Sequence, residues 1–407
     1  MTPSLVNRLL IVGASARAAA WSARRAGLDV VAADLFADTD LQQLAETIQV
    51  EPSEYPQALA DLVRQGKANV DADAWMYTGC LENYPLLVHE MSGQLTLLGN
   101  NADVIDKARD PLCLARIFAT EGISFPRIAN IEQITETSSN ASCWLLKPFL
   151  SGGGHDVRYF EPATWSAPSP TRKLYLQQFI EGQSHSAVFM ASHESCDLIG
   201  VTRLWCERDL FPNARQNAFR YSGSTGPVLL NQSLTRQWQQ IGDAVVRHAG
   251  LRGVFGVDAI VAASNVESAS NSDSAGGHAP VIWPIEVNPR YTASVEVLER
   301  SLNISLLARH VRVWTGQTKT DTFVSDSRSD ATWIHGKRIL YASRPAIFDR
   351  SLYDSLLGWQ ADEEMRQIAD QPRLGTKVGA NAPICTLIAG ARTAAEVELA
   401  LGFARWL

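Results

Sequence analysis

Strand and helix signals alternate along the first hundred residues, and this alternation limits the possible folds more than any other feature of the chain. A short apolar strand, Leu9–Val12, is followed by an alanine-rich helix pattern and a second strand, Leu28–Ala33. A third strand, another helix and a fourth strand at Leu95–Leu98 follow. Strands separated by helices form parallel βαβ units. Residues 1–100 are therefore predicted to form a small, doubly wound parallel α/β domain.

The middle of the chain, residues 101–316, has a different pattern. One helix is expected over Asp103–Glu121, and others over Leu234–Ala249 and Ser294–Val313. Strands are expected at Cys143–Lys147, Asp156–Phe160, Leu174–Phe179, Ser186–Ala191, Asp197–Arg203, Val254–Ala262 and Val281–Val287. This order predicts an α+β domain with antiparallel hairpins.

Two further segments complete the predicted organisation. Residues 263–280 are rich in serine, asparagine and glycine, which is typical of a flexible connection between two strands. Residues 317–407 are predicted to be a C-terminal α+β segment, with strands at Arg338–Ala342 and Ile384–Ala389 and a terminal helix over Thr393–Ala404.

The composition limits the kinds of molecule that the protein is expected to bind. The 407 residues carry a net charge of -7, which argues against a broad electrostatic grip on nucleic acid or on an anionic membrane. No apolar run approaches the roughly 20 residues that span a bilayer, and the N-terminus lacks a cleavable signal pattern. The six cysteines are scattered without a C-x-x-C pair, as expected for reduced thiols in a cytoplasmic protein.

A lysine followed by a glycine loop forms the first candidate site. The predicted strand ends at Lys147, and Ser151, Gly152, Gly153 and Gly154 follow before the next strand. Consecutive glycines leave backbone N–H groups able to fold over phosphate oxygens, and the lysine adds a fixed positive charge. Taken alone, the same residues are also typical of a flexible hairpin turn with a surface lysine.

The second candidate site is the sequence from Ile285 to Arg290. The strand period of two places Glu286 and Asn288 on one face, and Arg290 continues that side where Pro289 ends the strand. If the preceding strand pairs with it in antiparallel fashion, Asp258 faces Glu286. Carboxylate and amide oxygens suit Mg²⁺, and an arginine beside them suits a phosphoryl group. The alternative is a turn at Pro289 with a solvated Glu286.

Between these two sites lies an apolar strand that carries adjacent amides, Gln177 and Gln178, and continues through Phe179 and Ile180. Its backbone is suited to contact an adenine edge, although an ordinary strand and turn has the same pattern. A helix lysine, Lys107, precedes all three sites along the chain.

The order of these sites resembles the ATP-grasp superfamily, which includes biotin carboxylase and D-alanine–D-alanine ligase. The resemblance covers about residues 100–316 and implies an ATP-grasp domain preceded by a small α/β domain. It implies the following roles: Lys107 and Lys147 contact nucleotide phosphates; Ser151, Gly152, Gly153 and Gly154 cover them; Gln177, Gln178, Phe179 and Ile180 hold adenine; Asp258, Glu286 and Asn288 bind Mg²⁺ or Mn²⁺; and Lys147 and Arg290 are catalytic.

The activity that this resemblance implies is that of an ATP- and Mg²⁺-dependent carboxylate–amine ligase, which forms an acyl-phosphate on a small molecule and releases ADP and phosphate. Through a general similarity to the tyramine–glutamate ligase group, it also implies a role in coenzyme biosynthesis. The oligomeric state stays open, with a homodimer as one candidate. Alternatives are an ATP-grasp kinase, synthase or carboxylase that forms no amide, and a nucleotide-binding regulatory protein. Whether Ser15, Arg17, Asp34 or Arg220 binds substrate stays open.

Overall fold

The structure of the protein is a computed structural model. It describes residues 6–131, 144–162, 173–193, 195–210, 217–263, 279–316, 333–361 and 365–402. The predicted serine-rich connection lies almost entirely outside these residues, as do Cys143 and the last residues of the predicted terminal helix.

The N-terminal part is a parallel sheet covered by helices on both faces. Its elements are β1 (Arg8–Val12), α1 (Arg17–Arg25), β2 (Asp29–Asp34), α2 (Thr39–Leu44), β3 (Glu46–Gln49), α3 (Gln57–Asn69), β4 (Ala74–Tyr77) and α4 (Pro85–Ser92). The strand order is β3-β2-β1-β4, and all pairs are parallel. Leu9 and Ile11 pack in the same cluster as α1, whereas Leu10 and Val12 pack with α3 and α4. The predicted doubly wound domain is confirmed.

Two details of this part differ from the prediction. The fourth strand at Leu95–Leu98 is wrong, because the chain there forms a single bridge between Leu97 and Trp75. Beyond this bridge, the side-chain amide of Asn100 donates to the backbone carbonyl groups of Arg252 and Pro289, at 3.1 and 3.0 Å, and so joins the chain to the middle part of the protein. Strand β3, which the sequence analysis missed, is an edge strand without an apolar run.

The helices that follow along the chain are α5 (Ala102–Arg109), α6 (Pro111–Thr120), α7 (Glu207–Leu210), α8 (Gln232–Ala249), α9 (Ala293–Leu302), α10 (Leu306–Thr315), α11 (Arg350–Ala361) and α12 (Ala394–Gly402). Two predicted helices are each broken in two. Pro111 has no N–H to continue α5, and the carboxylate of Asp110 caps α6 by accepting from the N–H of Leu112, at 2.8 Å. Asn303, with φ +50°, ends α9. Within the described ranges, no helix is long and apolar enough to cross a membrane.

The remaining strands are β5 (Ile128–Ala129), β6 (Trp144–Pro148), β7 (Arg158–Tyr159), β8 (Leu174–Gln178), β9 (Gln183–Ala191), β10 (Cys196–Cys206), β11 (Tyr221–Gly226), β12 (Gly253–Ala262), β13 (Val281–Asn288), β14 (Ile334–Tyr341), β15 (Ala346–Ile347), β16 (Arg366–Ala369), β17 (Lys377–Val378) and β18 (Pro383–Ala391). They form a small sheet, β5-β8-β6-β7, a large sheet, β13-β12-β9-β10-β11-β14-β18-β16, and the pair β15-β17. All of these pairs are antiparallel, as predicted for the middle of the chain.

The large sheet crosses the predicted boundary at residue 316. Strands β14, β16 and β18 come from the predicted C-terminal segment, and β14 pairs with β11 from the middle of the chain. The C-terminal α+β segment therefore extends the same sheet that carries Asp258 and Glu286. The division into 1–100, 101–316 and 317–407 stays a prediction.

Candidate functional site

A cavity of about 210 Å³ lies between the small sheet and the large sheet. Most of the predicted site residues line it, namely Lys147, Ser151, Gly153, Gly154, Gln177, Gln178, Phe179, Ile180, Asp258, Glu286, Asn288 and Arg290. Residues far apart in the sequence thus meet at one place because β6 and β8 form one wall and β12 and β13 form the other.

The acidic residues come together through strand pairing. Strands β12 and β13 are antiparallel, and their register places Asp258 opposite Glu286 and Gly256 opposite Asn288. The side-chain amide of Asn288 donates to the carboxylate of Asp258 over 3.1 Å. Two carboxylates and one amide oxygen therefore face the cavity from neighbouring positions, as the strand period predicted.

The two carboxylates differ in their electrostatics. Burial, together with the nearby charge of Glu286, raises the pKa of Asp258 to about 6. Burial opposes ionisation of Glu286 as well, but the positive charges of Arg109 and Lys147 outweigh it and lower the pKa of that carboxyl. Glu286 is therefore the carboxylate that holds its negative charge more firmly.

Lys147 points into the protein and not into bulk water. It is 6% exposed, and its Nζ donates to Oε1 of Gln177 over 2.9 Å. The amide nitrogen of Gln177 in turn donates to the backbone carbonyl of Ile285, at 3.4 Å. Gln177 thus connects the lysine strand to β13, while Gln178 accepts from the backbone N–H of Arg127 at 3.3 Å.

The glycine loop lies against the chain that leads into β11. Gly153 and Gly154 have φ +60° and +72°, a conformation that favours glycine. The carbonyl of Gly153 accepts from the N–H of Tyr221 at 2.8 Å, and a Cβ on Gly154 would lie 1.9 Å from the carbonyl oxygen of Phe219. Gly152 does not line the cavity; a Cβ there would lie 3.5 Å from Sγ of Cys80.

The structure does not bring Lys107 to the site. Its side chain lies on the exposed face of α5 and does not line the cavity. Arg109, at the end of the same helix, takes part instead: its guanidinium pairs with Glu286 and donates to the carbonyl of Ser151 at 2.8 Å. Residues two apart on a helix differ by about 200°, so these two side chains leave α5 in nearly opposite directions.

Arg290 lines the cavity and is fixed from the N-terminal part of the chain. Its Nε donates to a carboxylate oxygen of Glu82 at 2.7 Å, and its Nη2 donates to Oδ1 of Asn288 at 3.3 Å. Burial alone would lower the pKa of Arg290, but the charge of Glu82 raises it. Glu82 is itself buried, in a 3₁₀ turn that precedes α4. No sequence signal pointed to Glu82, because the contact joins residues that are 208 positions apart.

An aromatic group forms one further wall of the cavity. Phe179 and Phe219 line it and both contact Tyr159 edge to face. The guanidinium carbon of Arg208 lies 5.3 Å from the ring centroid of Phe179 and 5.2 Å from that of Phe219. Of these residues, only Phe179 is predicted from the sequence, because Arg208 and Phe219 belong to no recognisable motif.

The residues considered as substrate contacts are already engaged within the protein. Arg17 is 3% exposed and forms ion pairs with three acidic side chains. Asp34 accepts from three backbone N–H groups, and Arg220 donates to a backbone carbonyl over 2.7 Å. Ser15 lines a different cavity.

The oxygen atoms at the β12–β13 edge fit a hard divalent cation. Asp258 and Glu286 supply carboxylates, whose negative charge a cation would balance. In the part of the chain that the structure describes, no group of three histidine, cysteine, aspartate or glutamate side chains is arranged for a metal ion. A third protein ligand would therefore be the amide oxygen of Asn288.

Comparison with known proteins finds one family and many similar structures. Residues 108–294 match the family model described as ATP-grasp domain. No curated protein matches the sequence.

Three solved structures illustrate the structural similarity. Pyruvate carboxylase from Rhizobium etli is 14% identical, with a TM-score of 0.72; the match covers 98% of this chain and 37% of that one. The biotin carboxylase–beta-gamma-ATP complex from Campylobacter jejuni is 13% identical, with a TM-score of 0.69 and coverage of 97% and 90%. L-amino acid ligase from Bacillus licheniformis is 14% identical, with a TM-score of 0.68 and 98% coverage of both chains.

These identities are low, so the similarity to solved structures establishes the fold. The family match covers the residues that carry the cavity, from the end of α5 to the start of α9. The resemblance inferred from the order of the motifs is confirmed over residues 108–294, which match the ATP-grasp domain.

Proposed function

We propose that this protein is an ATP- and Mg²⁺-dependent ligase that joins a small-molecule carboxylate to an amine and releases ADP and phosphate. The observation that carries the proposal is the convergence of cationic side chains on the acidic strand pair. Lys147 and Arg290 line the cavity, and Arg109 pairs with Glu286 from a third element, so three cations surround this carboxylate.

This charge arrangement suits phosphoryl transfer. The transferred group is highly charged and needs in-line positioning and charge neutralisation more than covalent help. Arg109 also contacts the carbonyl of Ser151, so a cation lies directly beside the glycine loop. The loop would cover the phosphates and exclude water, which would otherwise hydrolyse an activated acyl group.

The cavity has separate regions for the two ends of a nucleotide. Phe179, Phe219 and Ile180 would hold the base in the apolar region, and Lys147 with the loop would hold the phosphates. Asp258, Glu286 and Asn288 would hold Mg²⁺, which when bound neutralises phosphate oxygens.

The proposed reaction has two steps. An oxygen of the substrate carboxylate attacks the terminal phosphorus, the bond from that phosphorus to the bridging oxygen breaks, and ADP leaves with the electron pair. The amine nitrogen then attacks the acyl carbon, phosphate leaves with the C–O electron pair, and the amine loses a proton. Arg290 would stabilise the transferred phosphoryl group from its position beside Asn288.

The fold is shared with both an L-amino acid ligase and a biotin carboxylase, so product analysis has to distinguish amide formation from the alternatives. The purified protein is incubated with ATP, MgCl₂ and pools of amino acids and amines, and nucleotides and new masses are followed by liquid chromatography and mass spectrometry. ADP together with a new amide is the expected result. AMP release contradicts the proposal. A phosphorylated product without amide supports the kinase, synthase or carboxylase alternative, and no ATP consumption with any pool supports the regulatory one.

A matched pair of variants tests the site in the same assay. Arg290→Ala is expected to abolish turnover while ATP binding is nearly unchanged. Arg350→Ala removes an arginine whose side chain is 73% exposed and is expected to leave turnover unchanged. Normal turnover by Arg290→Ala would show that the role of Arg290 is wrong. The homodimer, the cytoplasmic location and the role in coenzyme biosynthesis stay predictions.

A further inference from the structure

A second cavity, of about 330 Å³, shares no lining residue with the first. One side is formed by loops at the carboxyl ends of β1, β2 and β3, and the other by the C-terminal part of the large sheet and the chain around β17. Much of its lining is apolar, including Leu35, Phe36, Ile339, Val378 and Ile384. The cavity is therefore large enough and apolar enough for the body of a small organic molecule.

Four aspartates lie close together here: Asp38 and Asp370 line the cavity, Asp34 and Asp40 lie near Asp38, and all except Asp38 have partners. Asp34 accepts from three backbone N–H groups, and Asp40 accepts from two, each at 2.9 Å. Asp370 pairs with Nε of Arg17 at 2.7 Å. Each of these three carboxylates therefore already has a hydrogen-bond or ion-pair partner within the protein.

Asp38 is the fourth, and it differs from the others. It lines the cavity and is 5% exposed, yet its carboxylate has no hydrogen bond or ion pair among the residues that the structure describes. It stands at the start of α2 without capping that helix. Burying a carboxyl group without a partner raises the free energy of the folded protein. A ligand group that supplies the missing partner would therefore gain binding free energy at Asp38.

The charge around Asp38 indicates the chemical type of the ligand group that would contact it. Burial first, and then the negative charges of Asp370, Asp34 and Asp40, raise the pKa of Asp38 to about 8, while Arg17 opposes them. The excess of negative charge favours a cation. Arg373 and Lys377 also line the cavity, but they are exposed and therefore screened by water.

A metal ion does not fit this position. Throughout the described ranges, no three acidic, histidine or cysteine side chains are grouped as metal ligands, and the oxygens of Asp34 and Asp40 are occupied by backbone N–H groups. The remaining lining is largely apolar, which suits a cation attached to a carbon skeleton.

We propose that this cavity binds an organic ammonium ion with an apolar body. Asp38 accepts the ammonium group, and the side chains of Leu35, Phe36 and Ile339 contact the carbon skeleton. The inference rests on this cavity alone and stands whether or not the protein is a ligase.

Isothermal titration calorimetry on the full chain, without ATP, tests the proposal. The probes are benzylammonium and hexylammonium chloride, and benzyl alcohol and 1-hexanol are their uncharged counterparts. At least one ammonium ion is expected to bind ten-fold or more tightly than its alcohol. Asp38→Asn should lose that preference, whereas Asp197→Asn, which changes an exposed aspartate on β10, should keep it. Phe36→Ala tests the apolar contact separately, with Asp38 left in place. Phe36 is 44% exposed, and its loss should weaken binding of the ammonium ion about three-fold.

A proton count separates a direct contact from a structural role. Because Asp38 is largely protonated at neutral pH, accepting an ammonium group requires it to ionise, and a proton should be released on binding. The measured enthalpy at pH 7 should therefore vary with the ionisation enthalpy of the buffer, and this variation should vanish in Asp38→Asn.

Three results would overturn the proposal: no binding of either ammonium ion, equal affinity for the ammonium ions and the alcohols, or unchanged binding by Asp38→Asn.

Addition of ATP and a carboxylate pool to the bound complex then identifies the type of ligand. Incorporation of the amine into an amide, lost in Asp38→Asn, supports binding of an amine substrate here, and binding without incorporation supports an ammonium ligand that is not consumed. Because the titration contains no ATP, it can succeed when the proposed ligase activity fails.

Discussion

Arg109 is the side chain that most directly joins the glycine loop to the acidic strand pair. Arg109→Ala removes a cation from beside Glu286 and frees the carbonyl of Ser151. We expect kcat/KM for ATP to fall about 100-fold, which corresponds to roughly 3 kcal/mol of transition-state stabilisation. Steady-state ADP release measures this effect.

Lys107→Ala is the matched control, because Lys107 lies on the same helix and is exposed. Its kcat/KM should stay within two-fold of the unmodified protein. A larger loss in Lys107→Ala than in Arg109→Ala would show that the nucleotide phosphates approach a different face of α5.

Glu82 acts on the site through Arg290 and is a positioning residue. Glu82→Gln keeps the shape of the side chain but removes the charge that holds the guanidinium. We expect kcat to fall about ten-fold while KM for ATP is unchanged, because the ATP-binding residues are not altered. Glu54→Gln, at an exposed position of the same part of the chain, should leave both constants unchanged. A rise in KM for ATP without a loss of kcat would contradict this role.

Among single residues, the sequence predicts those site residues whose positions follow from strand geometry. Asp258, Glu286 and Asn288 lie on two consecutive strands, so pairing and a period of two are sufficient to bring them together. Glu82 and Arg109 contact the cavity-lining residues from a turn and a helix whose orientation depends on tertiary packing. A single sequence contains no local signal for such contacts.

Helix α9 packs against α1 through a buried carboxyl group. Glu299 accepts from the hydroxyl groups of Ser22 and Tyr291, the latter at 2.8 Å, and burial raises its pKa from 4.5 to about 7. A raised carboxyl pKa favours the folded state at low pH, and this contribution is lost as the pH rises through about 7. At full ionisation the loss corresponds to about 3 kcal/mol.

Glu299→Gln cannot ionise, so its melting temperature relative to the unmodified protein should rise between pH 5 and about pH 7 and level off by pH 8.5. Differential scanning fluorimetry across that range measures the difference. The variant loses hydrogen-bond acceptors at every pH, so the slope against pH is the informative quantity. A flat difference would show that Glu299 is ionised at every pH in that range.

The elements themselves are predictable where the local pattern is strong. Strands β1, β2, β12 and β13 are apolar runs and lie close to the expected positions. The breaks at Pro111 and Asn303 interrupt patterns that stay amphipathic across the break, so periodicity alone merges the helices on either side. Strand β3 has no apolar run because it forms the sheet edge.

The large sheet makes the middle and the end of the chain one structural unit. Lys337 on β14 pairs with Glu296 on α9, which also pairs with Arg17 on α1. A chain that ends at residue 316 would lack β14, β16 and β18 and would expose the edge of β11. We expect that shortened protein to aggregate, as judged by size-exclusion chromatography, and the full chain to unfold in one calorimetric transition. Two separate transitions, or a stable monomer ending at 316, would contradict this expectation.

The cavity of the candidate site is divided between the small sheet and the large sheet. Lys147 belongs to the small sheet and Asp258 to the large one, and Gln177 connects them. The distance between opposite charges is therefore set by how closely these two bodies approach each other. A small molecule wedged at their junction should hold these charges apart and switch the protein off while leaving every ionised group intact.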